Sequence, residues 1–120
     1  MIDIPVDHDA PTPPYEQVRI RIADLAAAGA LPAGTKLPPV RRLAADLGLA
    51  VNTVARAYRE LEQAGLVETR GRAGTVITAR AARVPAEAQQ AAERYAARTR
   101  QLGVAPDVAL ELARAALGLP

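Results

Sequence analysis

Three apolar stripes at helical spacing, a short glycine turn between the second and third, and two β-prone runs joined by a glycine-flanked basic tip predict a mainly α fold. The architecture they specify is a winged helix-turn-helix domain over residues 13–78. An arm at 1–12 precedes it and a two-helix C-terminal tail at 79–120 follows.

The first dozen residues, rich in Asp and Pro, read as an extended or disordered arm. Pro13 and Pro14 then favour a helix start, with Glu16 in the first turn. Tyr15, Val18, Ile22, Leu25 and Gly29 recur at helical spacing, which predicts a helix over 14–28 that ends at Gly29, Pro32 and Gly34. Val40, Leu43, Ala44 and Leu47 form a second stripe after Pro38-Pro39, stopped by Gly48. Val54, Ala57, Tyr58, Leu61 and Gly65 form a third and longer one, over 51–64. Only Gly48-Leu49-Ala50 separates the last two helices, as in a helix-turn-helix. Residues 66–69 and 75–77 read as paired strands around the tip Arg70-Gly71-Arg72-Ala73-Gly74, a β-hairpin or wing. In the tail, Pro85 and Pro106 with Glu87 and Asp107 behind them start helices at 85–102 and 106–117, separated at Gly103.

Composition removes several classes of function. Zero Cys excludes disulfides, iron–sulfur clusters, thiol catalysis and Cys-type zinc sites. No uncharged apolar run approaches the ~18 residues of a membrane span. The start carries acids where a secretion signal wants Lys or Arg, so a soluble, cytoplasmic protein with no membrane partner is expected. The sole histidine, His8, lies in the acidic arm with no base or nucleophile beside it, which argues against an enzyme. A metal site at Asp3, Asp7, His8 and Asp9 would lack a rigid scaffold, so no metal or cofactor is expected. The net charge of +2 divides unevenly: −2 over 1–37, +3 over 38–80 and +1 over 81–120. The middle third therefore concentrates positive charge, as a polyanion partner requires.

The third helix carries the chemistry. If Val54, Ala57, Tyr58 and Leu61 face the core, 100° per residue puts Asn52, Arg56, Arg59 and Gln63 opposite. In a helix-turn-helix the N-terminal part of that face, with Asn52, Thr53 and Arg56, reaches base edges in the major groove. Asn can pair with adenine and Arg with guanine through two hydrogen bonds each. Arg41 and Arg42, starting the second helix, would flank the groove at the phosphate strand. Arg70 and Arg72 would reach the minor groove from the wing, where Gly71 and Gly74 permit close approach. Each feature alone is ordinary for a solvated surface; together they fall on one surface of one motif.

The segments PPYEQV, LPAGTKLPPVRRLAADLGL and NTVARAYRELEQAGLVETRGRAGTV resemble the winged-helix domain of the GntR family of bacterial transcription regulators. The short tail is similar in length and helical pattern to that of the YtrA subfamily. The resemblance implies a sequence-specific DNA-binding regulator, a repressor, acting as a homodimer on a double-stranded inverted-repeat operator. Arg41 matches an arginine that the family uses against DNA, Asn52-Thr53 the start of its recognition helix, and Gly71 and Gly74 its wing glycines. The chain departs from relatives at Ala50, which cannot cap the third helix, and at Val51, which can pack on a thymine methyl but not hydrogen-bond a base. The resemblance also implies a small-molecule effector, unnamed by the residues.

The tail has an unusual composition: residues 79–120 hold 14 of the 28 Ala. The helix at 85–102 offers Tyr95 and the seam Ala88, Ala91, Ala92 and Ala96 among charges, too little area to dock alone. The last helix is the reverse, with Val108, Leu110, Leu112, Leu117 and Leu119 pointing to several sides. Both facts fit a dimerisation tail in which Ala88, Ala92, Tyr95, Leu102, Val108, Leu112 and Leu117 meet a second copy. The alternatives are a tail folded back on its own winged domain and, for the whole chain, a winged helix serving as a protein-interaction module without specific DNA binding.

Overall fold

The computed structural model describes Ile2 and residues 4–120. Two compact units divide the chain, the first ending at Pro85 and the second spanning Ala86–Pro120.

In the first unit, α1 (Pro14–Ala27), α2 (Val40–Leu47) and α3 (Val51–Gln63) pack around one core, followed by β1 (Val67–Thr69), β2 (Thr75–Ile77) and a four-residue α4 (Ala79–Ala82). Val18 and Ile22 of the first predicted stripe, Leu43 and Ala44 of the second, and Val54, Ala57, Tyr58 and Leu61 of the third are buried, joined in α1 by Ala26, whereas Tyr15, Leu25, Val40 and Leu47 are half-buried. Gly48, at φ 66 and ψ 34, adopts the left-handed conformation that stops α2. Residues Leu49 and Ala50 then turn the chain into α3. β1 and β2 are antiparallel, with Val67 opposite Ile77 and Thr69 opposite Thr75. The segment before α2 runs beside β2: Leu37 N–H donates to the Thr75 carbonyl at 2.8 Å and Ile77 N–H to the Thr35 carbonyl at 2.9 Å. Lys36 is thereby bridged to Val76.

The arm is extended, one of the two states expected, but it is packed onto the fold and not loose. Ile2 and Ile4 are buried in the main core and Val6 packs against it. Their alternation is the period-2 pattern of an extended segment with one apolar face. Gln17 ties the remainder of the arm to α1: its side-chain oxygen accepts from Asp7 N–H at 2.9 Å, and its Nε2 donates to the carbonyls of Asp7 and Thr12 at 2.8 and 2.7 Å. Asp3, part of the metal alternative, lies outside the described residues. Among those described, no group of three or more His, Asp or Glu is placed to hold a metal ion.

The compact unit also runs past the boundary read at residue 78. Thr78 explains the extension: its Oγ1 accepts from Ala81 N–H at 3.2 Å, capping α4, and donates to the Gly65 carbonyl at 2.7 Å. Ala81 is buried in the core. Arg83 ends this helix in the left-handed region at φ 58, where glycine is the usual residue.

The second unit holds α5 (Ala86–Gln101) and α6 (Pro106–Ala116). Tyr95 Oη donates to the Ala109 carbonyl at 2.7 Å, and Thr99 Oγ1 bonds back to its own helix. Only Thr99 and Ala109 are buried among this unit's residues. No helix among the described residues is long and apolar enough to cross a membrane.

Candidate nucleic-acid interface

The helix periodicity of α3 leaves one face outward because the opposite face is the core. Val51, Asn52, Arg56 and Arg59 are exposed and Thr53 is half-buried. Arg41 and Arg42 are exposed in the first turn of α2, and Arg70, Gly71 and Arg72 at the hairpin tip, with Gly74 half-buried. A depression lined by Val40, Ala55, Arg59, Glu62, Thr69 and Thr75 shows how these pieces meet: one flank of α3 faces the start of α2 and the hairpin. Thr69 Oγ1 donates to Glu62 Oε2 at 3.0 Å, tying β1 to that flank.

Tyr58 sets the depth of α3. Its hydroxyl donates to the Pro38 carbonyl at 2.7 Å. Burial pushes the phenol well above its ordinary value, so it remains a donor throughout the physiological range.

The wing is tighter than a simple turn. A 3-10 turn at Gly71–Ala73 fills its tip, and Arg70 N–H donates to the Gly74 carbonyl at 2.8 Å. Gly71 stands at φ 54 and Gly74 at φ 76, both in the region that favours glycine. A Cβ on Gly74 would lie 3.1 Å from Lys36 Cε, so the Lys36 stem passes directly against the wing. Lys36 and Arg42 wall one cleft of about 490 Å³ with Pro38, Pro39 and Asp46. Sequence reasoning did not place Lys36 near the wing, because the signal is a single bridge to a strand forty residues away.

The predicted cations, with Lys36 added by the structure, fall into two groups. Among the described residues, Lys36, Arg41, Arg42, Arg59 and Arg72 have no hydrogen-bonded or ion-paired partner. Arg70 pairs with Glu68. Arg56 is held three ways: Nε donates to Glu60 Oε2 at 3.1 Å, Nη2 donates to Tyr15 Oη at 3.1 Å, and Cζ lies 3.7 Å from the Tyr15 ring centroid. Unpaired guanidinium groups keep all their donors for phosphate or base oxygens.

The residues expected to pair two copies all belong to the second unit and are exposed. Leu102 is 59% exposed, Val108 49%, Leu112 53% and Leu117 73%, while Tyr95, Ala88 and Ala92 are also open. Leu110 and Leu119 are comparably exposed. Between α5 and α6 lies an apolar groove of about 320 Å³ walled by Tyr95, Thr99, Val104, Ala109, Leu110 and Ala113.

Residues 14–77 match the model of bacterial regulatory proteins, gntR family. The chain is 52% identical over 99 residues to the HTH-type transcriptional regulator Rv1152 of Mycobacterium tuberculosis, covering 82% of this chain and 81% of that one. It is 45% identical over 76 residues to the HTH-type transcriptional repressor YtrA of Bacillus subtilis, covering 62% and 58%. Among solved structures, YtrA from Sulfolobus acidocaldarius, a GntR-family transcription factor, aligns with a TM-score of 0.60 at 36% identity, covering 62% of this chain and 79% of that one.

Proposed function

The chain belongs to the gntR family of bacterial regulatory proteins and is a DNA-binding transcription regulator, and we propose that it works in the cytoplasm as a homodimeric repressor on an inverted-repeat operator. The observation that carries the DNA geometry is the exposed start of α3 framed by α2 and the hairpin, with the guanidinium groups of Arg41, Arg42 and Arg59 around it unpaired. In this reading Val51, Asn52 and Thr53 enter the major groove, Val51 against a thymine methyl and Asn52 against adenine. Arg41, Arg42 and Arg59 hold the flanking phosphates, and Lys36 joins them from the base of the wing. Arg70, Gly71, Arg72 and Gly74 bring the wing to the minor groove. The repressor assignment draws on the role printed for the Bacillus subtilis relative.

The homodimer draws on the second unit. Seven large apolar side chains there, Tyr95, Leu102, Val108, Leu110, Leu112, Leu117 and Leu119, are exposed, a concentration that water tolerates poorly. A second copy's tail would cover them and fill the α5–α6 groove. Two-fold symmetry would then present two recognition helices to two half-sites.

The test is selection from duplexes with a randomised centre, followed by titration at several salt concentrations. An inverted repeat should emerge, with affinity falling steeply as salt rises. Weak binding with no sequence preference would remove the operator reading and leave the fold as a protein-interaction module. Arg41→Ala should weaken binding nearly uniformly across duplex sequences and reduce the salt slope by about one, as the loss of a phosphate contact does.

A further inference from the structure

Helix α3 is gripped on two flanks. On one, Tyr58 Oη donates to the Pro38 carbonyl at 2.7 Å, a part-buried bond at the edge of the core. Arg56 stands two residues earlier, about 200° around the helix axis. It reaches α1 instead: its guanidinium lies across the Tyr15 ring with Cζ 3.7 Å from the centroid. Nη2 donates to Tyr15 Oη and Nε to Glu60 Oε2, each at 3.1 Å. Reading guanine takes two parallel N–H donors from one guanidinium, so base readout by Arg56 would require breaking this arrangement. The flank that faces α2 and the hairpin is the other one, with Ala55, Arg59 and Glu62.

The platform under Arg56 is stiff. Tyr15 sits in the first turn of α1 behind Pro13 and Pro14, and Gln17 in that turn ties down Asp7 and Thr12. The start of α3, by contrast, has no side-chain cap, because Ala50 occupies the N-cap position. An uncapped first turn needs its direction fixed from elsewhere. Asn52 lies one turn before Arg56 on the same face, so a rotation of α3 allowed at Arg56 carries Asn52 with it.

We propose that Arg56 is a positioning residue, not a base reader: stacked on Tyr15 and tethered by Glu60, it sets the rotation of α3 and so aims Asn52 and Thr53. This role rests on the DNA-reading face assigned above. The stack is half-open to solvent, Arg56 being 54% exposed, so its loss leaves the fold largely intact while loosening the reading end.

The test uses the full chain and the duplex selected by the unmodified protein. Arg56→Ala and Tyr15→Ala should each weaken binding about three- to thirtyfold, and the double variant should be no weaker than the worse single one. Tyr15→Phe keeps the ring and should stay within a few-fold of the unmodified protein. In Arg56→Ala, preference at the base pairs that Asn52 and Thr53 read should weaken, while every other position and the slope of affinity against salt stay unchanged. Preference lost at a base pair that Asn52→Ala and Thr53→Ala leave unaffected would overturn the proposal in favour of direct reading. A salt slope reduced by about one, or single effects that multiply, would overturn it in favour of a phosphate contact. If the unmodified protein selects no duplex, the DNA-reading assignment fails, and amide hydrogen exchange in the free protein decides the grip separately. Both alanine variants should then speed exchange at Val54–Ala57 by a similar factor, and unchanged rates would overturn it.

Discussion

Tyr58 joins the recognition helix to the chain before α2 through one part-buried hydrogen bond, and its chemistry sets a pH limit. Burial raises its pKa in the folded state, whereas in the unfolded chain it titrates near the ordinary value of about 10. Below that pH the phenol is protonated in both states and its contribution to stability is intact. Above it the unfolded chain releases a proton that the folded chain keeps, so stability falls as pH rises further. Urea unfolding should show no Tyr58-dependent change from pH 7 to 9 and a decline beginning near pH 10. Tyr58→Phe should cost about 1 kcal/mol at neutral pH through the lost bond, and should lack that part of the alkaline decline. Parallel declines in both proteins would show that another group is responsible. The wing glycines make a second comparison at this scale. Gly71, at φ 54, has open space where a Cβ would go, whereas Gly74, at φ 76 and ψ −153, would also press a Cβ against Lys36. Gly74→Ala should therefore lower the melting temperature more than Gly71→Ala, with a cost of about 1–3 kcal/mol. Equal losses would mean that the Lys36 contact yields freely.

Helix α3 shows how far an element is legible before it is folded. Its period places Val54, Ala57, Tyr58 and Leu61 inward and Asn52, Arg56 and Arg59 outward, and the structure agrees. The same arithmetic could not show which outward arginine is engaged, because Tyr15 lies 41 residues from Arg56 in sequence. Exposure is a property of one helix's periodicity; pairing depends on how helices cross. The short elements are harder for a related reason. Helix α4 has four residues, fewer than the helical pattern needs to repeat, and its signal is only the capping residue Thr78. In the arm, Ile2, Ile4 and Val6 alternate, but Asp and Pro dominate the composition and hide the apolar side. The missing cap on α3 leads to a prediction at this scale. Ala50 already has the extended N-cap conformation, φ −65 and ψ 145, and lacks only an acceptor side chain. Ala50→Ser should stabilise the first unit by about 1 kcal/mol in thermal unfolding, with no change to the core. No gain would indicate that the first-turn N–H groups are already well solvated.

At the scale of the molecule, half of the alanine and most of the exposed large aliphatics lie in a tail with little core of its own. Helix α6 explains why that cannot be mended within the unit. Ala109 and Ala113 line the groove shared with α5, while Val108 and Leu112 lie about 100° round the axis from them and leave about half their surface to solvent. A helix with a narrow polar strip and apolar residues on the remaining sides suits burial between two partners. Replacing Val108 and Leu112 by Glu should therefore abolish dimers in sedimentation at tens of micromolar while leaving the first unit's unfolding transition in place. The consequence for DNA comes from linkage between sites. A dimer binds the second half-site at the effective concentration set by its joint, whereas separate monomers must each find one. The double variant should lose most of its affinity for a full inverted repeat yet keep unmodified affinity for an isolated half-site. If affinity for both duplexes were unchanged and sedimentation still showed dimers, the apolar faces of α6 would have some occupant other than a second copy. If both affinities fell together, the substitutions would be acting on the reading head, and the tail could not be credited with joining two of them.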